Sequence, residues 1–325
     1  SFKENADSKW IEYAYKLLKN VQFSRIEDLK IFDKIMGYDI SDKTLIYYFY
    51  LSSLALNLDK TISARIDLKD YADFDKEEKS WEKRVFSGIL KSLFFLIRKS
   101  NGFEDIRKAI VEISKLQNEQ SKFEDEYLSK FDIQTQKEEA LILVSLYHTS
   151  KAITETAEYL INGYEYKKRI DNVVRQHIDI ALEIIPSNIR LRDFVYIIYQ
   201  DLLCLIRNSI WNGTAFQDQI KKLCTFKSSQ NILELLPSQR QAMQQNLFDV
   251  YANASIVQMP TSAGKTMLAE FNIVLTKSLR RDAKVVYVVP SRALVNQVYF
   301  DLRRDLSAIG LNVERTSSAS EIDPT

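Results

Sequence analysis

The sequence predicts an all-helical N-terminal domain followed by the start of an α/β domain built on a parallel sheet. Three observations carry this. No proline precedes Pro186, whereas Pro237, Pro260 and Pro290 fall together towards the C-terminus. Proline interrupts regular structure, so long helices are allowed before that point and short, punctuated elements after it. Only six of the 37 Phe, Trp and Tyr lie beyond residue 227. The apolar pattern also changes near residue 228, from helical spacing to short β-branched runs. Two regimes imply two domains, 1–227 and 228–325.

The chain's 325 residues suit two domains of about 100–200 residues each, and 46% apolar residues are enough to build cores. Disordered, collagenous and disulfide-scaffold classes are excluded. No apolar run approaches the roughly 18 residues of a membrane helix, so no membrane partner is expected. No signal peptide follows Ser1, and Cys204 and Cys224 form no disulfide framework, which points to a reducing, cytoplasmic setting. With 45 Lys and Arg against 44 Asp and Glu there is no global basic field. The balance also holds in each part, 35 of each sign before residue 228 and ten against nine after it. Any nucleic-acid contact must therefore rest on local groups.

In the first regime, Trp81, Val85, Ile89 and Leu93, flanked by Phe86, Leu90, Phe94 and Ile97, repeat at the spacing that buries one face of a helix. Similar patterns predict helices near 4–20, 25–36, 42–58, 76–99, 103–130, 136–161, 164–184, 188–207 and 215–224. Asp75 with Glu78 and Thr135 with Glu138 have capping-box spacing ahead of two of them. No internal repeat is evident. His148 and His177 stand apart in predicted helices without Cys or carboxylates at ligand spacing, so no metal site is read there. Cys204 reads as a small core residue. Trp10, Trp81 and Trp211 read as core or interface residues, and Glu124-Asp125-Glu126 as a solvated face.

The second regime begins with a strand, Ser255-Ile256-Val257-Gln258-Met259, followed by a helix from Lys265 to Leu279 and a β-branched strand from Val285 to Val289. Strand, helix and strand over about 35 residues make a βαβ unit. Leu311 to Arg315 is a candidate third strand. Between the first strand and the helix lies Met259-Pro260-Thr261-Ser262-Ala263-Gly264-Lys265-Thr266, which has the Gly-Lys-Thr end of a phosphate loop in the required context. Such a loop turns backbone N–H groups and a helix N-terminus towards phosphate, and needs Gly where the chain comes close to it. Thr261, Ser262, Ala263 and Gly264 would form the cradle, Lys265 would reach the β- and γ-phosphates, and the Thr266 hydroxyl would hold Mg²⁺. The first position of the usual pattern is Met259 rather than Gly.

The run from Met259 through Lys265-Thr266-Met267-Leu268-Ala269-Glu270 resembles motif I of superfamily 2 helicases, particularly the Ski2-like branch of this DEAD/DEAH-type superfamily. Upstream, Leu236-Pro237-Ser238-Gln239-Arg240-Gln241-Ala242-Met243 is similar to the Q motif, which reads the adenine of ATP. Gln239 is the matching position. A side-chain amide supplies the donor and acceptor that adenine needs, and Gln241 has the same chemistry two residues on. Downstream, Val288-Val289-Pro290-Ser291-Arg292-Ala293-Leu294 resembles motif Ia, which would place Pro290, Ser291 and Arg292 on the backbone of a single strand.

The resemblance covers about residues 230–325. It implies a RecA-like domain, ATP and Mg²⁺ as cofactors, a DNA or RNA single strand as partner, and ATP-driven translocation or unwinding by a longer protein. The family's Asp-Glu motif II and second RecA-like domain are expected beyond Thr325, since the only Asp-Glu step, Asp125-Glu126, lies in the helical part; the fragment alone is therefore not expected to hydrolyse ATP. A large helical region ahead of such a core resembles antiphage helicases of the Hachiman type, in which the helicase subunit pairs with a nuclease effector. A repair or RNA-processing helicase of the same branch is the other possibility for the motor. From a different class, residues 1–227 read as a docking module for a partner protein.

Overall fold

The structure, a computed structural model, describes residues 2–20, 43–69, 80–163, 169–185, 189–214, 218–245, 247–249, 254–260 and 263–315. It divides into two compact units, Ser1–Arg207 and Asn208–Thr325. The division falls twenty residues ahead of the composition break at 227, because the helix Asp218–Ser229 packs on helices of the second unit.

The first unit is helical throughout its described residues: α1 (Phe2–Lys19), α2 (Lys43–Asn57), α3 (Thr61–Asp67), α4 (Trp81–Arg98), α5 (Phe103–Leu128), α6 (Ile133–Asn162), α7 (Ile170–Ile184) and α8 (Ile189–Asn208). Its core is the stripe read from sequence. Val85, Ile89, Leu90 and Leu93 of α4 are fully buried, and Phe86 stacks on Phe194 with ring centroids 4.3 Å apart. Successive helices pack as neighbours, most extensively α6 with α7 and α4 with α5.

Several local expectations change. The short helix α3 was not anticipated. The N-cap of α6 is Asp132, whose carboxylate accepts from the backbone of Gln134 and Thr135. Thr135 instead donates its hydroxyl to Asp132, 2.7 Å away, so the helix starts three residues before the predicted capping box. The box at Asp75 and Glu78, and the helix expected at 25–36, lie outside the described residues. Trp81 and Trp211 are buried, but Trp10 is 73% exposed, because α1 turns Tyr15 inward instead. Glu124 is only half-exposed and accepts a hydrogen bond from Tyr147, while Asp125 and Glu126 are exposed. His148 and His177 are not isolated: α6 and α7 bring their Nδ1 atoms to 3.3 Å.

The second unit contains a 3-10 turn (Ile210–Thr214), α9 (Asp218–Ser229), α10 (Pro237–Gln244), α11 (Lys265–Leu279) and α12 (Arg292–Ser307). Helix α11 has the bounds expected for the phosphate-loop helix. The two predicted strands fall within 254–260 and 283–289, on either side of it, and neither forms regular secondary structure. They make no β-ladder. Among the described residues the bridge recorded is an isolated antiparallel one, Ser209 with Glu234. The predicted parallel sheet is therefore not seen among the described residues, and Ile256, Val286 and Val288 are 96%, 81% and 83% exposed. Consecutive strands of a doubly wound sheet need not be neighbours, so a strand–helix–strand unit can present both strands without pairing them.

Candidate functional site

The candidate phosphate loop is closed by Gly264, the N-cap of α11, which has φ of +78°. Only glycine adopts this conformation without strain. Space enforces the same choice: a Cβ at this position would lie 2.2 Å from Nε2 of Gln239. With no side chain at the cap, the first-turn N–H groups of α11 receive no side-chain hydrogen bond there. Lys265 and Thr266 follow in that first turn, and both are exposed. Ala263 donates its N–H to Pro260 O at 3.3 Å, which bends the loop towards the helix. Thr261 and Ser262 lie outside the described residues.

Helix α10 braces this loop from upstream. Pro237 at its start has no N–H to satisfy and a φ already suited to a helix. The Ser238 hydroxyl donates to Ala263 O at 3.2 Å. Gln239 is 2% exposed; its Nε2 donates to Gly264 O at 3.0 Å, and its Oε1 accepts from Leu236 N–H at 2.8 Å. Each end of the amide thus makes one bond within the chain. Gln241, its sequence competitor, is exposed and lines a cavity of about 360 Å³ with Gln245, Ile256, Gln258 and Met259.

At the far strand, Pro290, Ser291 and Arg292 are all exposed where the chain enters α12. Ser291 is the N-cap, in extended conformation, but its hydroxyl makes no capping bond. Helices α11 and α12 therefore share a feature: each begins at a candidate site residue, with first-turn amides that no N-cap side chain bonds. Such ends favour anions through their N–H groups and the helix dipole.

Sequence reasoning missed a group of charges behind these helix ends. Lys227 of α9, 5% exposed, places Nζ 2.5 Å from Glu270 Oε2 of α11 and 2.5 Å from Asp305 Oδ2 of α12. Glu270 and Asp305 are each 1% exposed. Arg304 closes the group from the surface, its Nε 2.6 Å and Nη2 3.1 Å from the two oxygens of Asp305. Burial pushes the Glu270 carboxyl up to about 7; Lys227 opposes the rise and the Asp305 charge adds to it. Burial acts on Asp305 in the same sense, but the bonds from Arg304 and Lys227 outweigh it and hold that carboxyl below its ordinary range. The available signal was Lys227 itself, which falls in register with the apolar stripe Ile220, Leu223 and Cys224.

The remaining reactive residue types have quieter surroundings. Cys204 and Cys224 are both buried thiols, and burial raises the Cys224 pKa despite the nearby Lys227. The His148–His177 pair has no third ligand, since no group of three or more metal-ligating side chains occurs among the described residues. No helix among them is long and apolar enough to cross a membrane.

Residues 236–324 match the DEAD/DEAH box helicase family. The chain is 32% identical to the Hachiman protein HamB of Bacillus cereus over 93 residues, 29% of this chain and 8% of that protein. It is 36% identical to the ATP-dependent DNA helicase Hel308 of Methanocella arvoryzae over 74 residues, 23% of this chain and 10% of the relative. The third relative, the DExH-box ATP-dependent RNA helicase DExH9 of Arabidopsis thaliana, is 41% identical over 56 residues, 17% and 6% of the two chains. The chain thus spans a tenth or less of the curated relatives it matches. No solved structure matches it. The C-terminal part of the chain is thus similar to superfamily 2 helicases of the DEAD/DEAH type.

Proposed function

We propose that the unit beginning at Asn208 holds the nucleotide-binding and strand-gripping portion of an ATP-driven nucleic-acid translocase. The left-handed Gly264 carries this reading, because it opens α11 towards solvent with Lys265 and Thr266 exposed on its first turn. Uncapped N–H groups and the helix dipole would hold the phosphates, and the Lys265 ammonium would neutralise charge that develops on the transferred phosphoryl group. Thr266 fits a Mg²⁺ ligand in residue type and exposure, and the ion it would hold would supply neutralising charge at the phosphates. Thr261, Ser262 and Ala263 would complete the cradle. Gln239 holds Gly264 O with one N–H of its Nε2, so a base read by the second N–H and by Oε1 would share this side chain with the loop.

Ser291 and Arg292 would take a backbone phosphate of a DNA or RNA strand at the second uncapped helix end, with Pro290 setting the turn. The carboxylate that positions the attacking water in this superfamily has no counterpart at Asp125-Glu126, which lie on α5 of the helical unit. In the RecA-like reading, strands from elsewhere in the protein would pair with the exposed runs at 254–260 and 283–289. The experiment is Lys265→Ala in the full-length protein. ATP turnover is expected to fall by about a hundredfold or more, with strand binding in the absence of nucleotide retained. Unchanged turnover would remove the assignment.

The helical unit supports a second role beside this one. Trp10, Tyr13 and Leu17 line α1 at 73%, 63% and 71% exposure, an apolar stripe turned outward. Together with the similarity to HamB, it favours docking of a partner protein, such as a nuclease effector, in antiviral defence. Loss of a co-purifying partner in a Trp10→Ser, Leu17→Ser variant that still turns over ATP would support this; an unchanged partner set would refute it.

A further inference from the structure

Helices α9, α11 and α12 each carry one charged residue where the helical pattern calls for an apolar one. Lys227 continues the buried series Ile220, Leu223, Cys224; Glu270 sits among Met267, Leu268, Phe271 and Val274; Asp305 sits between Leu302 and Leu306. Apolar residues of similar volume would hold three helices together at least as firmly, because taking ions out of water offsets most of their attraction. What an ion group adds is direction. One ammonium meets two carboxylates in a single arrangement, and that arrangement fixes the register of both helices.

The register bears on both candidate sites. Glu270 lies one turn beyond Thr266 on α11, so whatever holds Glu270 holds the phosphate end of that helix. Asp305 lies 13 residues beyond Arg292 on α12, about 20 Å along a helix, so a small tilt at Asp305 becomes a larger displacement at the strand end. Lys227 itself stands outside the matched family segment, which begins at residue 236.

We infer that Lys227 is a positioning residue that couples the two ends of the proposed motor, holding the phosphate-loop helix through Glu270 and the strand-gripping helix through Asp305. Nucleotide bound at Gly264–Thr266 pulls on α11, and the shared ammonium passes that change to α12. The inference rests on the reading of the site given above.

The test uses the full-length protein. Lys227→Met alone leaves two buried carboxylates unpaired and risks unfolding, so it is paired with a neutral triple variant, Lys227→Met, Glu270→Gln, Asp305→Asn, which removes every buried charge of the group. Nucleotide affinity is read with a fluorescent non-hydrolysable ATP analogue, and turnover with and without single-stranded DNA or RNA. The triple variant is expected to fold, to bind the analogue within about twofold of wild type, and to lose about tenfold in strand stimulation of ATP turnover. A triple variant that keeps full stimulation, loses analogue binding to the same extent, or fails to fold overturns the coupling role. A wild-type protein that neither binds the analogue nor responds to strand would sink the reading of the site, and the inference with it. Wild-type stimulation matched by the triple variant would sink the inference alone.

Discussion

In the helical unit Val85, Ile89, Leu90 and Leu93 have no exposure, and the buried Ser92, Thr149 and Asp201 find hydrogen-bond partners in the same unit. In the second unit Val286 and Val288 are more than four-fifths exposed while Lys227, Glu270 and Asp305 are almost wholly buried. The first pattern is that of helices whose apolar stripes find each other in sequence order. The second places charge where an isolated domain would place hydrocarbon, and hydrocarbon where it would place charge. β-branched runs of this kind are normally covered on both faces of a parallel sheet. The difference teaches that the core of the helical unit is made by its own helices, whereas the second unit leaves its β-branched runs uncovered, as the proposed reading with ligands and further strands requires.

The largest effect expected from this contrast appears when the units are separated. Residues 1–207 should unfold in urea as one cooperative transition and bind little of a hydrophobic dye, whereas 208–325 should bind the dye strongly under the same conditions. Equal dye binding by both would erase the contrast. Gly264→Ala comes next. A left-handed alanine costs about 1–2 kcal/mol, and its Cβ must also displace the Gln239 amide that it meets at 2.2 Å. ATP binding should fall about tenfold or more, with residues 1–207 unaffected; near-normal binding would show that the loop tolerates another conformation.

The same contrast explains what could be read from the sequence. The α4 stripe and the bounds of α11 were legible because each depends on period and on local turn chemistry. The candidate phosphate loop stands out because Gly264, Lys265 and Thr266 are consecutive and open α11. Helix α3 was not legible, since its seven residues are too few to show a period. Nor was Asp132, whose carboxylate displaces the expected cap at Thr135 by three residues. The ion group was hidden for a different reason: Lys227, Glu270 and Asp305 are 43 and 35 residues apart, and each alone resembles an ordinary surface charge. The position of Gln239 was read as facing a base, and its hydrogen bonds to Leu236 and Gly264 could be found only with the loop folded against it.

Within the helical unit, Asp201 gives an effect of intermediate size. Its carboxyl is fully buried, and burial raises it to about 8 against the hydrogen bonds from Ser53 and Asn57. Folded Asp201 therefore keeps its proton at pH values where the unfolded chain has lost it. Its contribution is fully present below the ordinary carboxylate range and is lost as pH rises towards 8, at up to about 1.4 kcal/mol per pH unit. Asp201→Asn should raise the melting temperature at pH 8 by several degrees, ~5 °C, and by much less at pH 5. A gain independent of pH would mean that the carboxyl is ionised in the folded state.

The smallest effect tests whether the helical unit is as self-sufficient as its apolar core suggests. Trp81 Nε1 donates to Tyr147 Oη at 2.9 Å, and the Tyr147 hydroxyl donates to Glu124 Oε2 at 2.5 Å, joining α4, α6 and α5. Burial raises the Tyr147 pKa, and the Glu124 carboxylate raises it further, so the hydroxyl stays protonated and serves both partners. Tyr147→Phe keeps the ring but leaves the buried indole N–H without this acceptor, a loss of about 1–2 kcal/mol. Glu124 is half-exposed and also accepts from Gln120 at 2.8 Å, so water and Gln120 cover its side of the loss. Trp81→Phe in the Tyr147→Phe background should then cost less than Trp81→Phe alone, because the orphaned donor has gone. If the two losses simply add, the relay carries no stability of its own, and the apolar stripe of α4 is sufficient to hold the three helices.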